Sequence, residues 1–370
     1  MKAPFLYITG LTLVNRGIIF LVAYLGYLGV TGQSISFLGS FQDIWGKWDT
    51  RHYLNIAEHG YQSTGEDKFL IVFYPLYPLA IRLIHPLVGN YFWAGIAVSI
   101  AAFVAATYVL YRLVEFEFND AKLARDAVKY LLIFPFTFFF SIAYTESLFL
   151  LLTVLTFYYC RRGLWFAAGI TGMLAAMTRN HGILLLLPLA VEMINHCRRG
   201  MMDIAGLLKR AVCLALVPLG LAVYLGINKY VTGDWFTFLR YQREHWHNNF
   251  GFFIENLQNI FVRIFEPDVK IAVGTWLPEF VFFIVAVLFI ASAVRKVAPS
   301  YIIYSIAYLI ISYSPTWLLS GPRYLAALFP LFIFMALYTR DHPFRQQVLD
   351  MSLMLLLGLY TVLFTQSLVL

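Results

Sequence analysis

An acid flanked by aromatic and basic side chains, Trp48-Asp49-Thr50-Arg51-His52-Tyr53, occupies the first polar loop of an otherwise apolar chain. Ionisable groups in or at a bilayer are costly and tend to be functional. A positioned carboxylate can take the proton of a hydroxyl nucleophile, a contribution of about 10²–10⁴-fold. A second island, Ser141-Ile142-Ala143-Tyr144-Thr145-Glu146-Ser147, interrupts an apolar run far along the chain. Arg179-Asn180-His181 and Ser320-Gly321-Pro322-Arg323-Tyr324 form two more. Each residue has a plainer role. Asp49 suits the N-cap of a helix over Thr50 to Glu58, and the residues alone favour that reading. An arginine at a span end can snorkel to the interface, and Glu146 can be half of a structural ion pair. Arg16, beside Asn15 in the first apolar run, either binds a phosphate or pairs with an acid inside the bundle.

The elements that must position these islands are membrane helices. The 370 residues are 61% hydrophobic and only 13% charged, against about 25% charged in a soluble domain. Continuous runs such as Val281 to Ala291 do not alternate as the strands of a barrel would. The expectation is an all-α polytopic bundle of about eleven transmembrane helices in a single domain, 1–370. The first outer loop, 31–90, carries interfacial helices, among them Phe73-Tyr74-Pro75-Leu76-Tyr77-Pro78 and the segment after it. A second large outer segment covers 232–277. The net charge of +7 lies in short loops such as Arg161-Arg162, Arg198-Arg199 and Arg295-Lys296. That is the positive-inside pattern rather than a nucleic-acid stripe, so no nucleic-acid partner is expected. The run from Phe5 to Val30 is too long for a signal-peptide core and reads as a first permanent span with its N-terminus inside. With this threading, Asp49, Glu146, Arg179 and Arg323 all reach the outer face, as one shared cavity requires. Cys160, Cys197 and Cys213 have no metal-ligand spacing and indicate no disulfide framework. His245-Trp246-His247 reads as aromatic-belt packing. No metal site is assigned, and dependence on a divalent ion stays open.

Taken together, these pieces resemble the PIG-V family of membrane mannosyltransferases, of the GT-C class. They are Trp48-Asp49 with Arg51-His52-Tyr53, Ile56-Ala57-Glu58-His59-Gly60-Tyr61, and Phe73 to Pro78. Ser141 to Phe149, Thr178-Arg179-Asn180-His181-Gly182, and Arg323-Tyr324 with Phe329-Pro330-Leu331 complete the set. Thr232-Gly233-Asp234 followed by Trp246 matches more weakly, and His181 departs from a contiguous Asn-Gly. The resemblance runs in order from about residue 15 to 335, and the compact chain implies a prokaryotic relative.

The resemblance implies a lipid-phosphate sugar donor, such as polyprenyl- or dolichyl-phosphate mannose, and a lipid-linked or surface glycan acceptor outside the cytoplasm. It implies Asp49 as catalytic base. Arginine meets a phosphate bidentately and stays charged. Arg179 and Arg323 are therefore the expected holders of the leaving phosphate, with Arg51, His52, Arg240 and Arg243 as further choices. Glu146 holds Arg179 or Arg51, or meets sugar hydroxyls. Tyr324 joins the donor site, and Trp48, Tyr144, Asn180 and Asp234 support it. The expected location is a bacterial or archaeal cell membrane, or the endoplasmic reticulum in a eukaryote. The rivals are a GT-C enzyme with another sugar or a protein acceptor, and a lipid or glycan flippase. Against the flippase stand the missing internal repeat and the gathering of polar islands at one face.

Overall fold

The computed structural model describes residues 2–32, 35–198, 204–316 and 318–369. Arg199, counted above among the inner charges, and residues 33 and 34 of the first loop lie outside the described residues. In chain order the helices are α1 (Lys2–Thr31), α2 (Phe41–Trp45), α3 (Asp49–His59), α4 (Leu76–Val88), α5 (Tyr91–Phe118), α6 (Ala121–Ile133), α7 (Glu146–Arg161), α8 (Trp165–Ala176) and α9 (Leu186–Arg198). They continue with α10 (Ile204–Thr232), α11 (Thr237–Glu244), α12 (Phe253–Arg263), α13 (Val269–Ile271), α14 (Leu277–Ala293), α15 (Pro299–Tyr313), α16 (Gly321–Ala326), α17 (Pro330–Thr339) and α18 (Pro343–Thr365). Short 3-10 segments cover Glu66–Val72, Thr137–Ser141 and Asn180–Leu185, the last two beside polar islands. A π-turn, Ala272–Trp276, joins α13 to α14. Among the described residues the only β pairing is an isolated bridge between Phe250 and Pro315.

Among the described residues five helical stretches are long and apolar enough to cross a membrane: Pro4–Thr31, Tyr91–Phe118, Gly206–Thr232, Val269–Ala293 and Pro343–Thr365. The protein is an integral membrane protein. The expected eleven spans are not reached by helices of that length. Where the threading placed the others, the chain forms shorter helices, from 10 residues in α17 to 16 in α7. A span needs about 20 residues. The run 130–160, expected as two spans broken at the Tyr144-Thr145-Glu146 island, shows how such helices are delimited. It breaks into α6, a 3-10 turn and α7, because Pro135 lacks an amide donor and the Tyr144-Thr145-Glu146 island follows. Before α5, the Glu66–Val72 turn and α4 meet at 111°.

α5 packs on α6 and α7, α7 on α8, and α8 on α10. Small residues allow the last contact, as they do between membrane helices generally. A Cβ at Gly169 would lie 2.3 Å from the Cys213 carbonyl, and one at Gly220 would lie 2.1 Å from that of Met173. Local polar caps set the ends. Asn90 accepts the Trp93 amide at 3.1 Å to start α5, and Asp120 accepts the amides of Lys122 and Leu123 to start α6. The core is aromatic, and Phe138, Phe139 and Phe140 in the turn before the Glu146 island are fully buried.

Candidate active site

Asp49 is the first residue of α3, and Trp48 before it has φ 51° and ψ −128°. A non-glycine residue in the left-handed half of the map costs on the order of 1–3 kcal/mol and persists only where its surroundings impose it. They do so here from two sides. Lys47 Nζ donates to the Thr365 carbonyl at 2.6 Å and to Ser367 Oγ at 3.1 Å. The Asp49 amide donates to Tyr144 Oη at 3.2 Å. The loop is thus fixed between the end of α18 and the island that opens α7.

The Asp49 carboxylate does not cap α3; among the described residues no side chain at that N-cap makes a capping bond. It faces another helix. Arg323, in α16, donates through Nη1 to Asp49 Oδ2 at 3.2 Å. Its Nε lies 3.1 Å from Glu146 Oε1, an ion pair without hydrogen-bond geometry. Arg179 Nη1 donates to that same Oε1 at 2.6 Å. Four residues from four separate stretches of sequence therefore form one unbroken series, Asp49–Arg323–Glu146–Arg179. Both acids stand at helix N-termini, Asp49 on α3 and Glu146 on α7, where the helix dipole favours negative charge. Two carboxylates balance two guanidiniums, as charges away from water require. Exposure is graded along the series: Glu146 is 1% exposed, Arg179 10%, Arg323 11% and Asp49 26%. The acid with access to a second reactant is Asp49.

Aromatic faces hold both arginines. The Arg323 guanidinium lies over the rings of Phe139, Tyr144 and Tyr324, at 5.5, 5.2 and 5.3 Å. That of Arg179 lies over Tyr324 at 4.9 Å and Phe149 at 5.9 Å. Cation–π contacts of this kind contribute about 0.5–2 kcal/mol each. The His181 ring lies tilted against Tyr308 and Tyr324, with Nε2 3.0 Å from Ser312 Oγ. The His52 ring lies against Phe73 and Trp246. Burial lowers its pKa below the ordinary value of 6.5, with the Asp49 carboxylate acting in the opposite direction.

Of the residues picked from sequence, Asp49, Glu146, Arg179, Arg323, Tyr144 and Tyr324 come together. Glu146 has Arg179 and Arg323 as partners, not Arg51. Arg51 is exposed. It lies two positions after Asp49 on α3, about 200° round the helix axis. His52, three positions on, shares the Asp49 face more closely. Trp48 is 42% exposed. Asn180 is exposed and accepts the His181 amide at 2.9 Å. Asp234 is bound locally, accepting from the Phe236 amide and the Thr237 hydroxyl. Arg240 and Arg243 are exposed on α11. Among the described residues Arg16 pairs with no acid. Its guanidinium donates to the Thr137 carbonyl at 2.6 Å, to Ser141 Oγ at 3.1 Å, to Thr137 Oγ1 and to Asn15, over the Phe103 ring. It ties α1 to the turn that leads into the Glu146 island. His245 stacks on Phe69 at 4.1 Å, and among the described residues no three His, Cys, Asp or Glu side chains gather as a metal set.

Sequence reasoning missed Glu279. It is buried in the first turn of α14, and both its oxygens accept the Gly321 amide, at 2.7 and 2.9 Å. Its signal was present: an acid inside a span of mean hydropathy 2.2.

Comparisons with known proteins give the family and the fold. The family described as mannosyltransferase (PIG-V) matches residues 36–227, more than half of the chain. GPI alpha-1,6-mannosyltransferase 2 of Mus musculus is 33% identical over 147 residues, 37% of this chain and 29% of that protein. GPI mannosyltransferase 2 of Drosophila melanogaster is 28% identical over 114 residues, 28% of this chain and 24% of that protein. The match thus spans less than a third of these relatives' length. ArnT from Cupriavidus metallidurans, whose crystal structure holds undecaprenyl phosphate, aligns with a TM-score of 0.56 at 14% identity, covering 93% of this chain and 62% of its own. This likeness is one of fold, the GT-C fold.

Proposed function

We propose, for a chain that belongs to the PIG-V mannosyltransferase family, an inverting glycosyltransferase. It moves a hexose, mannose before others, from a polyprenyl- or dolichyl-phosphate donor to a hydroxyl of a lipid-linked or surface glycan on the extracytoplasmic face. The observation that carries the reading is the series Asp49–Arg323–Glu146–Arg179, with its carboxylate end open and its arginines braced by aromatic rings.

Asp49 takes the proton of the acceptor hydroxyl as its oxygen forms a bond to the anomeric carbon. The bond from that carbon to the phosphate oxygen breaks on the opposite face, and the lipid phosphate leaves with the electron pair. Arg323 and Arg179 meet the charge that gathers on it. Preorganised donors of this kind are worth about 2.7–4 kcal/mol each in comparable sites. Glu146 keeps the two guanidiniums from repelling each other while the site is empty. Asp49 is held by Arg323 at only one oxygen, so its other oxygen is available to the acceptor. The lipid tail explains the membrane fold: extracting it would cost about 0.8 kcal/mol per CH₂, and reacting at the bilayer surface avoids that.

The test is transfer against translocation in proteoliposomes loaded with radiolabelled polyprenyl-phosphate mannose. The reading expects label on the acceptor, and Asp49→Asn that folds, binds lipid phosphate and does not transfer. Near-wild-type turnover by that variant removes Asp49 as base. Label that crosses the bilayer still attached to its lipid makes the protein a flippase.

A further inference from the structure

The arginine nearest the proposed base sits on a short helix whose start is fixed from elsewhere in the bundle. α16 has six residues, and its N-cap residue, Ser320, makes no side-chain capping bond. The free backbone amides of a helix start need an acceptor. Pro322 has no amide hydrogen, so the Gly321 amide carries that need, and a carboxylate from α14 meets it. Glu279 Oε1 and Oε2 lie 2.7 and 2.9 Å from the Gly321 nitrogen. Glu279 is 1% exposed. Its own backbone carbonyl accepts the Tyr313 hydroxyl at 2.9 Å, from the end of α15. The fit leaves no slack. A Cβ at position 321 would lie 2.1 Å from Glu279 Oε2 and 2.7 Å from Tyr313 Oη. Glycine is required there because the carboxylate occupies the space a side chain would take. Arg323 follows two residues later and reaches both Asp49 and Glu146.

We infer that Glu279 is a positioning residue for the transfer reaction: by anchoring the Gly321 amide, it sets where α16 begins and hence where the Arg323 guanidinium stands between Asp49 and Glu146. It acts through Arg323 and does not touch substrate. The inference rests on the proposed role of Arg323 in holding the leaving phosphate. A buried acid in a membrane helix is costly to keep, and the backbone amide that its carboxylate accepts lies two residues from a site arginine.

The experiment uses the full chain in detergent, with hydrogen exchange over residues 318–330 and steady-state transfer from polyprenyl-phosphate mannose as paired readouts. Glu279→Gln keeps an oxygen that accepts the Gly321 amide. It is expected to hold slow exchange and to turn over within about threefold of wild type, since one acceptor remains. Glu279→Ala is expected to speed exchange at α16 and to lower kcat on the order of 10²-fold, the cost of a misplaced group, with the KM for acceptor little changed. Gly321→Ala should reproduce that pattern while leaving the acid in place, so it stands in should Glu279→Ala not fold. In an Arg323→Ala background, Glu279→Ala should add no further loss of kcat. Unchanged exchange in Glu279→Ala overturns the inference, as does fast exchange with wild-type kcat or a full additional loss in the double variant. If Arg323→Ala and Asp49→Asn both transfer normally, the proposed reaction itself has failed, and the exchange data still report whether Glu279 fixes α16.

Discussion

α7 carries an ion-pair network at each end, and the two are built differently. At its C-terminus every nitrogen of the Arg161 guanidinium has a partner. Nε and Nη2 donate to Glu117 at 2.7 Å each, and Nη1 lies 2.8 Å from Glu192. Glu192 in turn accepts the Ser300 hydroxyl at 2.6 Å. At its N-terminus Glu146 meets Arg179 and Arg323, but Arg323 Nε has no hydrogen bond, and Asp49 is engaged at one oxygen. The helix has 16 residues, about 24 Å between the two networks at 1.5 Å per residue. Both obey the dipole, acid at the start and base at the end. What separates them is saturation. A network that closes on itself ties α5, α7, α9 and α15 together and has nothing left to offer a ligand. A network with unused donors and a part-exposed carboxylate keeps hydrogen-bonding capacity in reserve, which is what a transient phosphate and a hydroxyl require.

If that contrast is right, changes at the two ends of α7 separate turnover from stability. The largest effect belongs to Asp49→Asn, expected to lose about 10²–10⁴-fold in kcat, the range for a lost general base, with its unfolding midpoint within a few degrees of wild type. Parallel transfer assays and thermal scans check this, and a variant that unfolds early would put Asp49 with the structural pairs. Arg323→Lys keeps the charge but replaces a planar fork with a point charge. One ammonium cannot span Asp49 and Glu146 as the guanidinium does, and a loss of about tenfold in kcat, roughly 1.4 kcal/mol, is expected. At the other end, Arg161→Ala should leave kcat per folded molecule unchanged and lower stability by roughly 3 kcal/mol, the lower end for breaking a buried pair. Active-site titration alongside denaturant unfolding in micelles measures both quantities. The smallest effect concerns pH. Burial depresses His52 below 6.5, so the folded protein binds this proton less readily than the unfolded chain. Its stability is fully present above pH 6.5 and falls as pH drops below that value. His52→Phe should flatten this part of a midpoint-against-pH curve without moving the plateau at pH 7–8.

Much of the site was legible in sequence because polar residues stand out against lipid-facing runs. Asp49, Glu146, Arg179 and Arg323 each broke an apolar pattern, and a threading that brought them to one face foreshadowed their contact. Their pairing was not legible. Asp49 and Arg323 are 274 positions apart, and Arg51, which stood beside Arg179 as a choice of partner for Glu146, is exposed in the fold. Glu279 escaped notice because one acid hardly alters the hydropathy of a long span, and its partner is a backbone amide, which no side-chain motif reveals. The limits of the spans were only partly legible for a related reason. Hydropathy reports where the chain is apolar, but Pro135 and the Tyr144 island decide where a helix stops. Arg16 read as a charge that either binds a phosphate or pairs with an acid, whereas a backbone oxygen, two hydroxyls and Asn15 meet its terminal nitrogens, an arrangement that depends on a 3-10 turn the sequence did not announce.

The hold of Lys47 on Thr365 and Ser367 joins points 318 and 320 positions apart, and this has a bearing on biogenesis. A ribosome adding about 5–20 residues per second needs roughly 15–60 s between the two. Throughout that interval the Trp48-Asp49 loop has been made but its hold at the end of α18 has not, so the turn at Trp48 lacks one of its two supports until the last helix is complete.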